Sequence, residues 1–496
     1  MRLGGTLLGA GLILAATGAL LAFRPATYGP IAPIAVAVAQ ELEPGRAVYA
    51  QRCEICHGAD GDGFGPAAAH LDPKPRDFRR GWYKIRTTAS GQLPTDEDLV
   101  RVLTLGMPGT TMPAWENVLN EEEMRSVAEY VKTFSRRFER ESPEPIAVVA
   151  GPGNSAEARL RGEQLFGGQQ AECRQCHGAM GRGDGPSAAD LTDDFGQSIV
   201  PADLSMPWLF RGGPSADDIY LRLKTGLTGS PMPSYAAVLS DEQLWDIAYY
   251  VDSLAPDAPA DQEAFLLAAK VEGALPTTGD DAGWEAAPES YLPLGGQVMR
   301  EVRNFTPAIK GVWVQALHNG SELALRLRWH DRFQDPNDSF DVEMPAMLAE
   351  NDERPYFVFG DGRKAVNLWH WEAAGDLLEE QNAQGVGTRA TQAQQDLVGQ
   401  AEFANGEYKL VIRRALSTGD EEDLVIPSGQ FFPIAFVAVE GRSEEASDSG
   451  AISSWQLLFL DEPTAAVSYI WVPIAIALTA GLEWLVVRRV RRSTSA

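Results

Sequence analysis

Cys53-Glu54-Ile55-Cys56-His57-Gly58-Ala59 and Cys173-Arg174-Gln175-Cys176-His177-Gly178-Ala179 are the stretches that decide how this chain folds. Between them they hold all four cysteines, and they lie 120 positions apart. The register persists outward from them without a gap at the landmarks. Gly61, Gly63 and Gly65-Pro66 fall on Gly181, Gly183 and Gly185-Pro186. Gly106, Gly109 and Met112-Pro113 fall on Gly226, Gly229 and Met232-Pro233, and Tyr130-Val131 falls on Tyr250-Val251. Two copies of one unit of about 100 residues follow from this, an ordinary domain size. Each copy reads as helix, ligand loop, irregular Gly/Pro-rich stretch, helix. Met124, Val127, Ala128 and Val131 recur at helical spacing, as do Leu244, Ile247, Ala248 and Val251. Asn120 with Glu123, and Ser240 with Gln243, form capping boxes that set where these last helices begin. The linker Glu141–Asn154 carries three prolines and two glycines, which predicts hinged rather than fused copies.

C-x-x-C-H is the attachment pattern of a c-type haem. Two thiols at i and i+3 on one helical turn reach the two vinyl groups of a single porphyrin, and the next imidazole points at the iron. A redox dithiol would need a thioredoxin-like βαβ surrounding, and neither motif has one. A zinc site would join the halves as Cys2His2, yet each half recurs in its own complete domain. The expected cofactors are therefore two covalent haems c, on Cys53 and Cys56 with His57, and on Cys173 and Cys176 with His177. Met112 and Met232, each followed by Pro at the same offset from the cysteines, are the expected sixth ligands. Met107 aligns with Leu227 and His70 with Asp190, so neither can serve both copies. A thioether opposite imidazole favours ferrous iron, raises the potential and closes the sixth position.

These residues resemble class I cytochromes c over roughly 41–138 and 155–255. Gly45 and Tyr49 match that family's N-terminal helix, which crosses the C-terminal helix near Tyr130; Gly162 and Phe166 are the second copy's counterparts. Phe166 lies seven residues before Cys173, whereas Tyr49 lies four before Cys53, so a short insertion precedes the second motif. Pro75-Arg76-Asp77-Phe78, echoed as Pro201-Ala202-Asp203-Leu204, resembles segments of multihaem relay cytochromes.

From about 260 to 462 the pattern changes. Asn319-Gly320 joins the alternating runs Val312–Leu317 and Leu323–Trp329, and Asn405-Gly406 precedes Tyr408–Ile412. Further strands are expected at Phe431–Val439 and Ser453–Phe459, giving an all-β sandwich. This part resembles the haem b-binding (gamma) subunit of the ethylbenzene dehydrogenase group of DMSO reductase-family molybdoenzymes. The matching segments are Leu327-Arg328-Trp329-His330-Asp331, Gly360-Asp361, Ala365–Trp371 and Ser453-Ser454-Trp455. In that family a methionine before the Gly-Asp pair and a lysine before Ser-x-Trp hold the iron. Here Phe359 stands at the first place, and the second region reads Ser447-Asp448-Ser449-Gly450. A haem b would have to draw on Met344, Met347, Lys364, His318, His330 or His370. Otherwise the domain has kept the fold as a docking or spacer unit. His330 and His370, beside tryptophans in strands, read as structural histidines.

The 496 residues are 44% hydrophobic and 22% charged, the balance of a folded multidomain protein. A net charge of −27 excludes sequence-independent nucleic-acid binding and suits redox partners with basic docking surfaces. Arg2, the apolar run 3–23 and Ala37-Val38-Ala39 before Gln40 read as an export signal over 1–39, or as an uncleaved anchor. Ala465–Val487 is long enough to span a bilayer, and Arg488, Arg489, Arg491 and Arg492 follow it. Positive charge stays inside, so residues 488–496 are expected in the cytoplasm and the bulk of the chain in the periplasm of a bacterial inner membrane. Glu483 sits within reach of the basic end. The units expected are thus cytochrome domains at 40–140 and 155–256, a sheet domain at 260–462 and a transmembrane helix at 465–487. No catalytic constellation accompanies them. The expected role is a dihaem electron relay, with a larger oxidoreductase's electron-transfer subunit as the alternative.

Overall fold

The computed structural model describes residues 33–71, 73–255, 265–297, 303, 307–346, 354–420, 423–442, 450–462 and 467–493, with the side chains of 33–41, 467–471 and 490–493 outside the description. Residues 1–32 of the expected export signal, Met347 and residues 447–449 of the lysine region therefore lie outside the described residues.

Each repeat folds as four helices around its Cys-x-x-Cys-His turn. The first has α1 (Pro33–Arg52), α2 (Glu54–His57), α3 (Asp96–Leu105) and α4 (Glu121–Lys132); the second has α5 (Ala156–Gly167), α6 (Arg174–His177), α7 (Ala216–Thr225) and α8 (Asp241–Asp252). Both expected capping boxes form, Asn120 with Glu123 at α4 and Ser240 with Gln243 at α8. Thr95 and Asp98 make another at α3. First and last helices cross at glycine: α1 meets α4 at Gly45, and α5 meets α8 at Gly162. Tyr49 on Tyr130 and Phe166 on Tyr250, ring centroids 5.3 Å apart in each copy, fill the crossing beside it.

The linker is docked rather than hinged. Ile146 N–H donates to Thr87 O (2.9 Å), Trp245 Nε1–H to Val149 O (2.9 Å) and Lys224 Nζ to Ala147 O (3.2 Å). The two repeats also bond directly. Buried Arg86 donates to Thr225 O (2.8 Å), Arg222 donates to Arg86 O (2.7 Å), and Arg101 pairs with Asp218 (2.5 Å). Prolines and glycines set the linker's local shape, but these tertiary bonds fix its place.

Fourteen strands make up the third domain among the described residues. They begin with β1 (Leu266–Lys270), β2 (Ser290–Pro293), β3 (Gly295–Gly296), β4 (Gly311–His318) and β5 (Glu322–His330). Next come β6 (Ser339–Pro345), β7 (Val366–Glu372), β8 (Leu377–Ala383), β9 (Ala390–Thr391) and β10 (Val398–Ala404). The last are β11 (Glu407–Ala415), β12 (Phe431–Val439), β13 (Ala451–Ile452) and β14 (Gln456–Leu460). The order is β10-β11-β5-β4-β1-β14-β12-β6-β7-β8-β9. β12 serves two halves: residues 431–434 pair with β14 and 435–439 pair with β6. Pro433, which has no N–H to give a ladder, sits just before the changeover. The halves face each other across a core in which Trp329 of β5 meets Phe340 of β6 (4.6 Å) and Trp371 of β7 (5.8 Å). The strand expected over Ser453–Phe459 is broken: Ser453 exchanges hydrogen bonds with Phe436, and pairing resumes at Gln456.

Phe359, at the position of the family's methionine, is 3% exposed, with φ 73°. It packs with Val358, Val366, Leu368, Ala383, Ala435 and Val437, and Trp455 covers the cluster. A side chain held in the left-handed region costs about 1–2 kcal/mol. Phe359→Ala is expected to lose about 3–5 kcal/mol of stability. Phe359→Gly, freed of that backbone penalty, should lose roughly 1 kcal/mol less than Phe359→Ala, an inversion of the usual order that urea unfolding of the two variants would read.

The apolar run at the C-terminus is helical, α9 (Val467–Ser493). No helix among the described residues is long and apolar enough to cross a membrane. Of the described side chains of α9, 472–489, Glu483 lies within the apolar run and Arg488 and Arg489 follow it. The expected transmembrane helix is thus not carried by the described residues.

Candidate haem-binding sites

Each Cys-x-x-Cys-His forms one helical turn that ends at a glycine with positive φ, Gly58 (78°) and Gly178 (80°). None of the four cysteines forms a disulfide. Burial pushes the Cys53 and Cys173 thiols up to about 11, the reverse of the lowered value a nucleophilic dithiol needs. Beside each turn a backbone carbonyl fixes the imidazole. His57 Nδ1 lies 3.1 Å from Arg76 O, and His177 Nδ1 lies 3.0 Å from Ala202 O. An Nδ1–H donated there would leave Nε2 free to bind a metal. Phe78 stacks on His57, centroids 4.5 Å apart.

The Met-Pro loops are built alike. Met107 N–H donates to Met112 O (3.0 Å) and Leu227 N–H to Met232 O (3.1 Å), with the Thr110 and Ser230 hydroxyls bonded to Met107 O and Leu227 O. Gly106 and Gly226, with φ of 66° and 65°, let helices α3 and α7 turn straight into these loops. His70 is exposed, as a surface residue should be.

One continuous cavity of about 1310 Å³ is lined by all four cysteines, His57, His177, Met112 and Met232. Pockets for one small ligand run to about 300–1,000 Å³, so this one has room for more than one group. Its polar atoms are left without partners in a way that fits porphyrin carboxylates. Tyr83 Oη, Trp115 Nε1 and the Nε and Nη1 of Arg222 are buried, line the cavity and have no hydrogen-bond partner among the described residues. Burial, with repulsion from neighbouring arginines, pushes Lys84 down to about 8 and Arg222 to about 10. Such cations call for an anion, and the propionates of a bound haem would supply it. The repeat alignment could not reveal Arg222, because Val102 stands in its place in the first copy.

Among the described residues of the third domain, those at the expected places do not fit a haem iron. Phe359, where the resemblance would place a methionine, lies within packed apolar side chains. A Cβ on Gly450 would come within 2.9 Å of Val437. Among the substitutes, His318 is bonded to Asp461 O (2.8 Å), His370 to Asp341 (2.6 Å) and His330 to Asp203 (2.5 Å). Met344 is fully buried in the core, and Lys364 reaches Arg354 O (3.4 Å).

Residues 40–131 match the family model described as cytochrome c oxidase, cbb3-type, subunit III, and residues 160–255 match the cytochrome c model. The gamma subunit of chlorate reductase from Ideonella dechloratans is 28% identical over 216 residues, 41% of this chain and 90% of that protein. The gamma subunit of dimethylsulfide dehydrogenase from Rhodovulum sulfidophilum is 26% identical over 187 residues, 34% of this chain and 69% of that one. The chain spans just 64% of a haem subunit from Haloferax mediterranei named for respiratory nitrate reductase. A chain of the Kuenenia stuttgartiensis reducing HAO-like protein complex is 45% identical, covering 43% of this chain and 96% of that one at a TM-score of 0.42.

Two cytochrome c domains, each with a covalent haem c, are therefore fused to a domain like the gamma subunits of reductase and dehydrogenase complexes. The two cytochrome c domains make electron transfer the chemistry that this chain carries.

Proposed function

We propose that the chain relays single electrons through two haems in series, one held by His57 and Met112 and the other by His177 and Met232, between partners outside the cytoplasm. The observation that carries this reading is the single cavity reaching both Cys-x-x-Cys-His turns and both Met-Pro loops. Bound there, haem supplies one-electron exchange at iron. The chain's own residues hold the two imidazoles by carbonyls and offer a thioether to each iron, so little has to move as charge passes.

The working units are 40–140, 155–256 and 260–462. The third serves as a docking surface for the catalytic subunit of a larger oxidoreductase; the support is that its relatives are named as gamma subunits of a reductase and a dehydrogenase. The net charge of −27 favours partners with basic faces and gives their encounter a strong salt dependence. The apolar stretch Ala465–Val487, followed by Arg488, Arg489, Arg491 and Arg492, supports tethering to a bacterial inner membrane with the tail in the cytoplasm and the rest in the periplasm.

The test is protein made in a bacterium that matures c-type cytochromes. A pyridine haemochrome spectrum should show two haems c per chain and no b-type band, and a redox titration should show two one-electron waves. Colourless protein would end the reading. Deleting residues 465–496 should release the chain into the soluble fraction; retention in membranes would remove the tether.

A further inference from the structure

Among the differences between the two repeats beside the imidazole is one place into which the third domain reaches. In both copies an aspartate follows the carbonyl that holds the histidine: Asp77 after Arg76, and Asp203 after Ala202. In both, that aspartate accepts a hydrogen bond from the backbone N–H two residues on, at 2.9 Å. The first copy places Arg79 there, and its guanidinium pairs with Asp77 (2.9 Å). The second copy has Ser205 at the matching position, whose hydroxyl donates to Asp203 Oδ1 (2.6 Å) and brings no charge. The missing cation arrives from 127 residues away: His330, at the end of β5, sits 2.5 Å from Asp203 Oδ2.

We infer that His330 is a positioning residue for the second haem: it neutralises Asp203 and, through the Asp203–Ala202 segment, holds the carbonyl on which His177 is oriented. The inference rests on the axial ligation proposed above.

Several observations support it. His330 and Asp203 both line the haem cavity, their side chains 11% and 9% exposed. His330 Nε2 lies 3.5 Å from Glu407, and Glu407 also takes Arg182 of the second repeat (3.2 Å) and Arg328 (2.9 Å). Trp313 packs on the ring at 4.7 Å. Burial opposes both charges, yet the hydrogen bonds between them hold the Asp203 carboxyl below its ordinary value and keep His330 above its own. Both directions favour the ion pair over the neutral one, and the 2.5 Å contact is the geometry on which that rests. An uncompensated carboxylate next to a haem favours ferric iron, so the partner of Asp203 sets how strongly this centre holds its electron.

The test is a spectroelectrochemical titration of the full-length, haem-loaded protein, with the two waves assigned by Met112→Ala and Met232→Ala. His330→Gln should shift the second haem's wave to lower potential and leave the first in place. Asp203→Asn should shift the same wave upward, and the double variant should fall between them. Equal movement of both waves, or no movement in Asp203→Asn, would overturn the inference; Asp203→Asn is nearly isosteric, so it carries the test if His330→Gln does not fold. Retention of the far-red sulfur–iron band in these variants confirms that the ligands are unchanged. Persistence of that band at both centres in Met232→Ala would instead sink the ligation reading.

Discussion

Gly162→Ala should destabilise the second cytochrome domain by about 3 kcal/mol, the upper part of the range for overpacking, although alanine is the better helix former by about 1 kcal/mol. The reason is geometric. A Cβ on Gly162 would lie 2.0 Å from the Asp246 carbonyl oxygen and 2.8 Å from Tyr250 Cβ. Both obstacles belong to the backbone or the root of a side chain on α8, so no rotamer change relieves them. Helices α5 and α8 would have to separate, and that opens the contact of Phe166 with Tyr250 and loosens Leu244 and Ile247 behind it. Gly45→Ala is its counterpart, with the Cβ 2.0 Å from Ser126 O. Chemical unfolding followed by the absorption of each haem would read the loss, and either alanine variant unfolding at the wild-type midpoint would show that the crossing can yield.

Met232→Ala should lower the second haem's potential on the order of 0.2 V, within the roughly 0.8 V that axial ligands command. It should also abolish the far-red sulfur–iron band at that centre while the first centre keeps its own. The loop that carries the sulfur is braced by Leu227 N–H on Met232 O and by Ser230 on Leu227 O, bonds that alanine keeps, so the change is confined to the ligand. Electron passage between the haems would then run uphill in one direction, and flash-initiated kinetics would show it slowed. Met112→Ala should mirror the result at the other centre. An unmoved potential in both variants would remove thioether ligation from the account.

Much of this was legible along the chain because it is local. The two Cys-x-x-Cys-His turns, the capping boxes at Asn120 and Ser240, and the hairpin at Asn405-Gly406, where φ is 51° and 71°, depend on residues a few positions apart. What could not be read is non-local. Nothing near Trp245 announces that its indole will pin Val149 and so dock a linker that looks like a hinge. His330, by its surroundings, reads as a structural histidine in a strand; its partner Asp203 belongs to another domain. Arg222 escaped because the repeat that exposed the methionines has valine opposite it. Phe359 was visible as a departure from a family pattern, but its left-handed backbone was not.

The topology of the sheet has a bearing on how the polypeptide is made. β1, the first strand of the third domain to emerge, lies parallel to β14, one of the last, and β14 also separates β1 from β12. The two haem-bearing units can close as soon as their own helices are out, whereas the sheet must wait for residues 456–460. A chain cut short before Gln456 would leave the edges of β1 and β12 bare and open to pairing with neighbouring molecules. Nascent or truncated forms should therefore clump through this domain while their cytochrome halves stay folded.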